Sequence, residues 1–246
     1  MQRYFYEQPL SQGDSVQLDA QVQKHAVQVL RMQVGAQLEL ADTTQHAYVA
    51  TITDVQPLTV SVGAEITKAV ELPLAVTIVC GIAKAQKAEW VTQKATELGA
   101  QRIIFANSQW GTARWQASKA DRKLERLQLI ARGAAEQSHR NLVPTVEFLP
   151  QLTDAVQLQA DQRLVAYEES AKQGEAAQLL QSVHAAKHDL VVVFGPEGGI
   201  APEELTQLTA AGYVAAGLGP RILRTETAPL YLLSAVSALT ELGKDE

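Results

Sequence analysis

Residues 190 to 227 constrain the fold of this chain more than any other stretch. Leu190 to Phe194 is a short unbroken apolar run, the pattern of a strand buried on both faces of a parallel sheet. Gly195, Gly198 and Gly199 follow at once. A helix then begins, with Pro202 in the first helical position and Glu203 and Glu204 in the first turn, where the helix dipole favours negative charge. Gly212 stops it. The pattern repeats with a strand near Tyr213 to Leu218, a loop from Gly219 to Thr227, and an apolar helix from about Pro229. Two such loops side by side at the carboxyl edge of a parallel sheet make a ligand crevice.

The rest of the chain divides around that stretch. Thr67 to Pro73 reads as a linker. Beyond it strand and helix alternate, the signal of an α/β sheet that is mostly parallel. Leu74 to Val79 is a strand, and Gln86 to Leu98 is a helix burying Trp90, Val91, Ala95 and Leu98, ended by Gly99. Arg102 to Ala106 is a strand. Ser118 to Gln137 is a helix with Leu124, Leu127, Ala131 and Ala134 inward. Strands follow near Val146 and at Leu164 to Tyr167, with a helix at Glu175 to Val183.

Residues 1 to 70 differ in texture. Short strand-like runs at Tyr4–Tyr6, Val16–Leu18, Leu38–Leu40, Tyr48–Ile52 and Leu58–Val62 are broken by one helix. Asp19 caps that helix, Val22, Ala26, Val29 and Leu30 form its apolar stripe, and Gly35 lies just beyond its end. This suggests a small barrel. The domains expected are therefore 1–70 and 73–246.

Composition excludes several classes. The single Cys80 permits no disulfide framework and suits a reducing, cytoplasmic setting. No stretch reaches the roughly 18 apolar residues a membrane helix needs. No Cys/His cluster has metal-ligand spacing, so no metal is implied. GPEGG lacks the Gly-Lys-Ser/Thr of a phosphate loop, which counts against a nucleoside triphosphate enzyme. A net charge of −6 disfavours non-specific nucleic-acid binding. A local basic face is still available, because eleven residues cluster between positions 84 and 140: Lys84, Lys87, Lys94, Arg102, Arg114, Lys119, Arg122, Lys123, Arg126, Arg132 and Arg140.

Gly195-Pro196-Glu197-Gly198-Gly199 followed by Leu218-Gly219-Pro220-Arg221-Ile222-Leu223-Arg224-Thr225-Glu226-Thr227-Ala228 resembles the signature of the RsmE family. Those are trefoil-knotted methyltransferases of the SPOUT class that methylate N3 of a uridine in 16S ribosomal RNA of the small ribosomal subunit. His25 with Val29-Leu30-Arg31-Met32, the series Lys84, Lys87 and Lys94 to Gly99, and Glu136-Gln137-Ser138 with Arg140 resemble other family segments. Ser108-Gln109-Trp110-Gly111 departs from the family's usual S-E-R-S and lacks its Glu and Arg. Trp110 there either stacks on a base or fills an apolar gap.

The resemblance implies a knotted α/β domain behind a PUA-like β-barrel, a homodimer, and S-adenosylmethionine (SAM) as cofactor. Its cofactor-binding residues would be Phe194, Gly195, Pro196, Glu197, Gly198, Gly199, Leu218, Gly219, Ile222, Leu223, Arg224 and Thr225. Uracil N3 attacks well only as the anion, whose charge spreads onto the two carbonyl oxygens. A guanidinium aimed there acts as an oxyanion donor. Arg224 is the first candidate and Arg221 the second, with Glu226 a candidate base for the N3 proton. Arg3, Arg31, Lys84, Lys87 and Arg140 are candidate RNA contacts. Plainer structural readings stand beside these. Glu197 and Glu226 sit where carboxylates complement helix starts, Arg224 could brace its loop, and His25 could be structural. A non-catalytic RNA-binding protein and a ribose 2′-O methyltransferase are the alternatives. The two intact loops argue against loss of function.

Overall fold

The computed structural model describes residues 1–84, 87–168 and 177–242. The chain forms two compact units: residues 1–71 with 135–142, and residues 72–134 with 143–246.

In the first unit, β1 (Arg3–Phe5), β2 (Ser15–Gln17), β3 (Gln37–Ala41), β4 (Ala47–Val55) and β5 (Leu58–Glu65) make one mixed sheet in the order β1-β3-β4-β5-β2. Only the β1–β3 pair is parallel. Alternation drives it. In β5, Leu58, Val60 and Val62 are buried, and Thr59 and Ser61 between them are less so. They pack with Tyr4, Leu38, Leu40, Ala50 and Ile52.

Between β2 and β3 lies α1 (Ala20–Gln23), whose Asp19 cap accepts from Gln21 N at 2.8 Å and Val22 N at 2.9 Å. The helix continues as a π-helical turn over Lys24–Val29, closed by Leu30 N donating to His25 O. That wider turn rotates the expected stripe. Val22 and Ala26 are buried, but Val29 and Leu30 are exposed. The left-handed residue at its end is Arg31, with φ +57°, rather than the more distant Gly35.

Arg3 is nearly fully buried. Its Nε donates to Glu39 Oε2 at 2.9 Å, and Nη1 donates to His139 O, Arg140 O and Asn141 Oδ1 at 2.7 to 3.1 Å. His139 Nδ1 lies 2.9 Å from the same Glu39 oxygen. Arg140 is equally buried, its Nε on Glu71 Oε2 at 3.0 Å and its Nη2 on the same oxygen. A phosphate contact needs an exposed guanidinium, and both of these side chains are committed to the unit's own framework.

The second unit is a six-stranded sheet flanked by helices. Its elements in chain order are β6 (Ala75–Gly81), α2 (Lys87–Glu97), β7 (Arg102–Ala106), α3 (Ala117–Gln137), β8 (Thr145–Leu149), a 3₁₀ turn (Leu152–Gln157), β9 (Gln162–Ala166), α4 (Gln178–Ala185), β10 (Asp189–Phe194), α5 (Pro202–Ala210), β11 (Val214–Ala216) and α6 (Ala228–Ser237). The order is β11-β9-β10-β6-β7-β8, and every pair is parallel. The part of the expected helix at Glu175 and Ala176 lies outside the described residues, as does Gln86 at the start of the other.

Side chains of β10 alternate between two apolar layers. Leu190, Val192 and Phe194 join Ile78, Val91, Ala95, Leu127, Leu232 and Val236 on one face. Val191 and Val193 join Val79, Ile104, Val165, Ile200, Leu208 and Tyr213 on the other. One expected core residue lies outside both layers. Trp90 is 51% exposed, with Lys94 Nζ 5.4 Å from its ring centre. Gly99, with φ +91°, ends α2 as expected.

Glu39 provides a pH test of the first unit. Burial raises its pKa, but hydrogen bonds from Arg3 and His139 outweigh this and hold it below the ordinary 4.5. Its stabilisation is therefore present above pH 4.5 and lost as pH falls through the depressed folded value. Glu39→Gln should lower the unfolding free energy measured by urea denaturation at pH 7 by about 1 to 2 kcal/mol. The gap from wild type should close progressively in titrations below pH 4.5. A gap that is constant with pH would show that Glu39 acts through packing alone.

Candidate functional site

The two glycine loops leave the carboxyl edge of the same sheet, after β10 and β11. Their strands are not neighbours, because β9 runs between them. The first loop folds back tightly. Gly199 N donates to Pro196 O at 2.9 Å, and Gly199 has φ +81°. Pro196 packs against the end of β6, where a Cβ on Gly81 would stand 2.6 Å from the proline ring. In the second loop Gly219 has φ +85°, and Thr227 N and Ala228 N both donate to Arg224 O, turning the chain into α6. Thr227 is the residue before that helix but makes no side-chain cap.

These glycines differ in what they face. A Cβ on Gly198 would come within 2.6 Å of Trp110 O, so that glycine permits loop-on-loop packing. A Cβ on Gly199 would meet nothing within 4 Å, and one on Gly219 only Tyr231 Oη at 3.7 Å. At these two positions bare main chain opens outward.

One lysine joins the loops. Lys87, at the start of α2, places Nζ 2.9 Å from Glu197 Oε1 and 3.0 Å from Glu226 Oε2. Lys84 N also donates to Glu197 Oε1, at 3.3 Å. Burial raises the pKa of Glu197, but Lys87, its own N–H and the Lys84 N–H outweigh this and hold the group below the ordinary carboxylate range. Glu226 is also raised by burial and more strongly lowered by its own N–H, by Lys87 and by the charge of Arg224. The hydrogen bond to Glu197 and the neighbouring Glu226 carboxylate raise the pKa of Lys87. The site thus holds two ionised carboxylates around one ammonium.

A second carboxylate device, which gave no warning in the sequence, supports the first loop. Glu204 is buried in the first turn of α5. It accepts from Ala201 N at 3.0 Å, Ser108 Oγ at 2.9 Å and Gln109 N at 2.8 Å. The last two lie in the loop that departs from the family pattern, so the lost charged residues have not left that loop unsupported. Asn107 exchanges hydrogen bonds with the Trp115 main chain, and Trp115 stacks between Phe105 and Phe148. Trp110 does not fill a gap. It is half exposed beside Gly198.

The other predicted residues fall into three groups. Phe194 and Pro196 are buried. Leu218, Leu223 and Thr225 are half-buried, while Arg221, Ile222 and Arg224 are exposed. Of the proposed RNA contacts, Arg31 and Lys84 are exposed, Lys87 is held between carboxylates, and Arg3 and Arg140 are buried in the first unit. His25 Nδ1 lies 3.0 Å from Tyr4 Oη in that unit's core, a structural position. Among the described residues no group of three or more His, Cys, Asp or Glu could hold a metal ion, and no helix is long and apolar enough to cross a membrane.

Residues 70–237 match the RNA methyltransferase domain family, and residues 18–65 match the RNA methyltransferase PUA domain family. Fold and match together define an RNA methyltransferase with an N-terminal PUA domain. The chain is 40% identical to ribosomal RNA small subunit methyltransferase E of Bacillus subtilis (strain 168) over 98% of both chains. It superposes on the crystal structure of ribosomal RNA small subunit methyltransferase E from Neisseria gonorrhoeae bound to S-adenosyl methionine, with TM-score 0.85 and 30% identity, covering 97% of this chain and 98% of that one. A Legionella pneumophila methyltransferase in complex with SAM superposes with TM-score 0.83 and 27% identity, covering 96% and 97%. The chain belongs to the ribosomal RNA small subunit methyltransferase E family, the one its glycine loops resemble.

Removing the Glu204 carboxylate strands two N–H groups and a hydroxyl at once. Glu204→Ala should cost about 3 kcal/mol, the scale for buried partners left unpaired. Chemical denaturation measures this directly. A loss no larger than that of an exposed helix substitution would mean the 108–109 loop is held by other contacts.

Proposed function

We propose that this chain transfers the methyl group of SAM to N3 of a uridine in 16S ribosomal RNA. The observation that carries this reading is the pair of open glycine loops at one sheet edge, in a chain whose relatives of the same fold hold SAM. A Cβ at Gly199 would meet nothing within 4 Å and one at Gly219 only Tyr231 Oη at 3.7 Å, which leaves room for a ligand beside the main chain. Leu218, Ile222 and Leu223 supply apolar wall for an adenosyl group. In this reading Gly195, Glu197, Gly198, Gly199, Leu218, Gly219, Ile222, Leu223 and Thr225 hold the cofactor, with Phe194, Pro196 and Arg224 contributing main chain only.

Bound SAM supplies a methyl on a sulfonium cation, so the protein's task is positioning and charge stabilisation. Arg224 and Arg221 are the groups for the second task, being exposed at the mouth of the second loop. Their guanidinium hydrogens would meet the carbonyl oxygens of the ionising uracil and stabilise charge as it develops. Glu226 takes a different role from a base. Its own N–H and Lys87 beside it lower its pKa against the effect of burial, which suits an ion pair better than proton abstraction at N3.

Arg31 and Lys84 are the remaining phosphate contacts, with the PUA domain adding RNA surface to an acidic chain. The working division is residues 1–70 for RNA binding and 73–246 for methyl transfer, in a cytoplasmic protein. The trefoil knot of the class is part of the same reading. The chain also forms a homodimer. α6 buries Pro229, Leu232, Leu233 and Val236 inward, while Tyr231 is 39% exposed on another side and Ile222 in the loop before it is 75% exposed. Light scattering at micromolar concentration should give twice the monomer mass of 26.6 kDa, and a monomer mass alone would end the dimer assignment.

The test of function is incubation with labelled SAM and small subunits lacking the modification, followed by mapping of the methyl. Label on uracil N3 supports the reading, and label on a ribose 2′-oxygen moves the enzyme to another class. Arg224→Lys should lower kcat about 10²-fold, as loss of an oxyanion donor does. SAM affinity should hardly change, and raising pH should partly rescue the variant because more uracil is already ionised. A defect that vanishes at saturating SAM would instead make Arg224 a loop brace.

A further inference from the structure

Lys87 departs from its sequence reading as an RNA contact. A lysine that meets phosphate should project into solvent, yet this side chain is only 28% exposed and lies between two carboxylates. Those carboxylates come from different loops. Glu197 belongs to the loop after β10, and Glu226 to the loop after β11 on the far side of β9.

We propose that Lys87 is a positioning residue for the cofactor pocket, its ammonium fixing the spacing of the two glycine loops by pairing with one carboxylate on each. This rests on the reading that the loops hold SAM. Two oxygens at 2.9 and 3.0 Å from one nitrogen cannot be further apart than those distances together. Without the ammonium they are like charges in a partly desolvated place, and each sits on a loop rather than on a rigid strand. Glu226 Oε2 is out of contact with solvent and has no aligned hydrogen-bond donor, so the lysine charge beside it is what compensates its burial. The other groups facing the pair cannot replace it. Glu197 also receives the Lys84 N–H and its own N–H, and Glu226 receives its own N–H and the more diffuse charge of Arg224. None of these touches both loops.

A lysine that merely stabilised the fold would change melting temperature and leave ligand affinity alone. A positioning lysine changes affinity, in a way that depends on the charge of its partners. In Lys87→Met the carboxylates repel, and their pKa values rise because each has lost a cation and faces a like charge. Lowering pH then protonates one of them and relieves the repulsion. Removing one charge by Glu226→Gln has the same effect at any pH.

The experiment is calorimetric titration of SAM into the full-length protein at pH 8 and pH 5.5, with melting temperatures recorded without ligand. Lys87→Met should raise Kd at pH 8 by about tenfold or more, the worth of one unit of lost charge compensation. That loss should shrink at pH 5.5, relative to wild type measured in parallel. Lys87→Met combined with Glu226→Gln should regain most of the affinity at pH 8, and Lys87→Arg should stay near wild type. Should Lys87→Met fail to fold, Lys87→Gln with and without Glu226→Gln gives the same comparison. An unchanged Kd in Lys87→Met overturns the proposal, as does a loss that is equal at both pH values and not relieved by Glu226→Gln. If wild type itself binds no SAM, the reading of the pocket falls and this assignment with it.

Discussion

Strand β10 is hydrogen-bonded to β9 on one side and β6 on the other, and its side chains enter an apolar layer on each face. A segment satisfied in this way has no edge to offer and no face to wet. It can end only by leaving the sheet, and its neighbours are parallel, so all of them leave on the same side. The crevice follows from that constraint. Both glycine loops emerge on the carboxyl edge because β10 and β11 point the same way. α5 begins there because the chain must return across a face of the sheet before it can pair again as β11, and α6 follows the last strand from the same edge.

Part of the charge of this chain is committed to internal ion pairs. Several of the basic residues between 84 and 140 have carboxylate partners: Lys87 with Glu197 and Glu226, Lys94 with Glu97, Arg102 with Glu147, Arg126 with Glu89 and Arg140 with Glu71. The exposed pairs add little to stability, since water screens them. Their larger consequence is for the surface field. A paired lysine contributes almost nothing to attraction for phosphate at a distance. The basic cluster seen in the sequence is therefore thinner in space than in the chain. On α3, Lys119, Arg122 and Lys123 remain exposed, with Lys123 Nζ lying 5.3 Å from the Trp115 ring centre.

The features legible in the sequence were those set by local geometry. Leu190 to Phe194 announces a two-faced strand because every residue in it is apolar. Gly99 and Gly212 announce helix ends because a left-handed residue is needed there, and both have φ +91°. The misreadings share a different cause. Val29 and Leu30 fit a 3.6-residue stripe, but a π-helical turn shifts the phase, and no residue in Lys24–Val29 signals one. Trp90 looks like core by its size, whereas its exposure depends on what lies over α2. Arg3 and Arg140 look like phosphate ligands, yet their partners Glu39 and Glu71 lie 36 and 69 residues away. Glu204 could be recognised as a first-turn carboxylate. Its reach to Ser108, 96 residues earlier, could not.

Glycine lets a loop bring its main chain close to a ligand and takes away the stiffness that would hold it there. Each loop here meets that conflict with contacts from outside itself. The first is pinned at Pro196 against Gly81, at Gly198 against Trp110, and by Glu204, which fastens the Trp110 loop to the start of α5. The second is drawn into α6, whose Pro229, Leu232 and Leu233 are buried in the core. What those separate anchors leave undetermined is the distance between the loops. A third element must set it, and α2 supplies that element through Lys87, whose own place is fixed by Val91 and Ala95 in the core one and two turns further on. In the proposed reading the crevice is shaped by an apolar core acting through one lysine paired with two carboxylates, and a change in α2 packing would be felt at both loops without touching either.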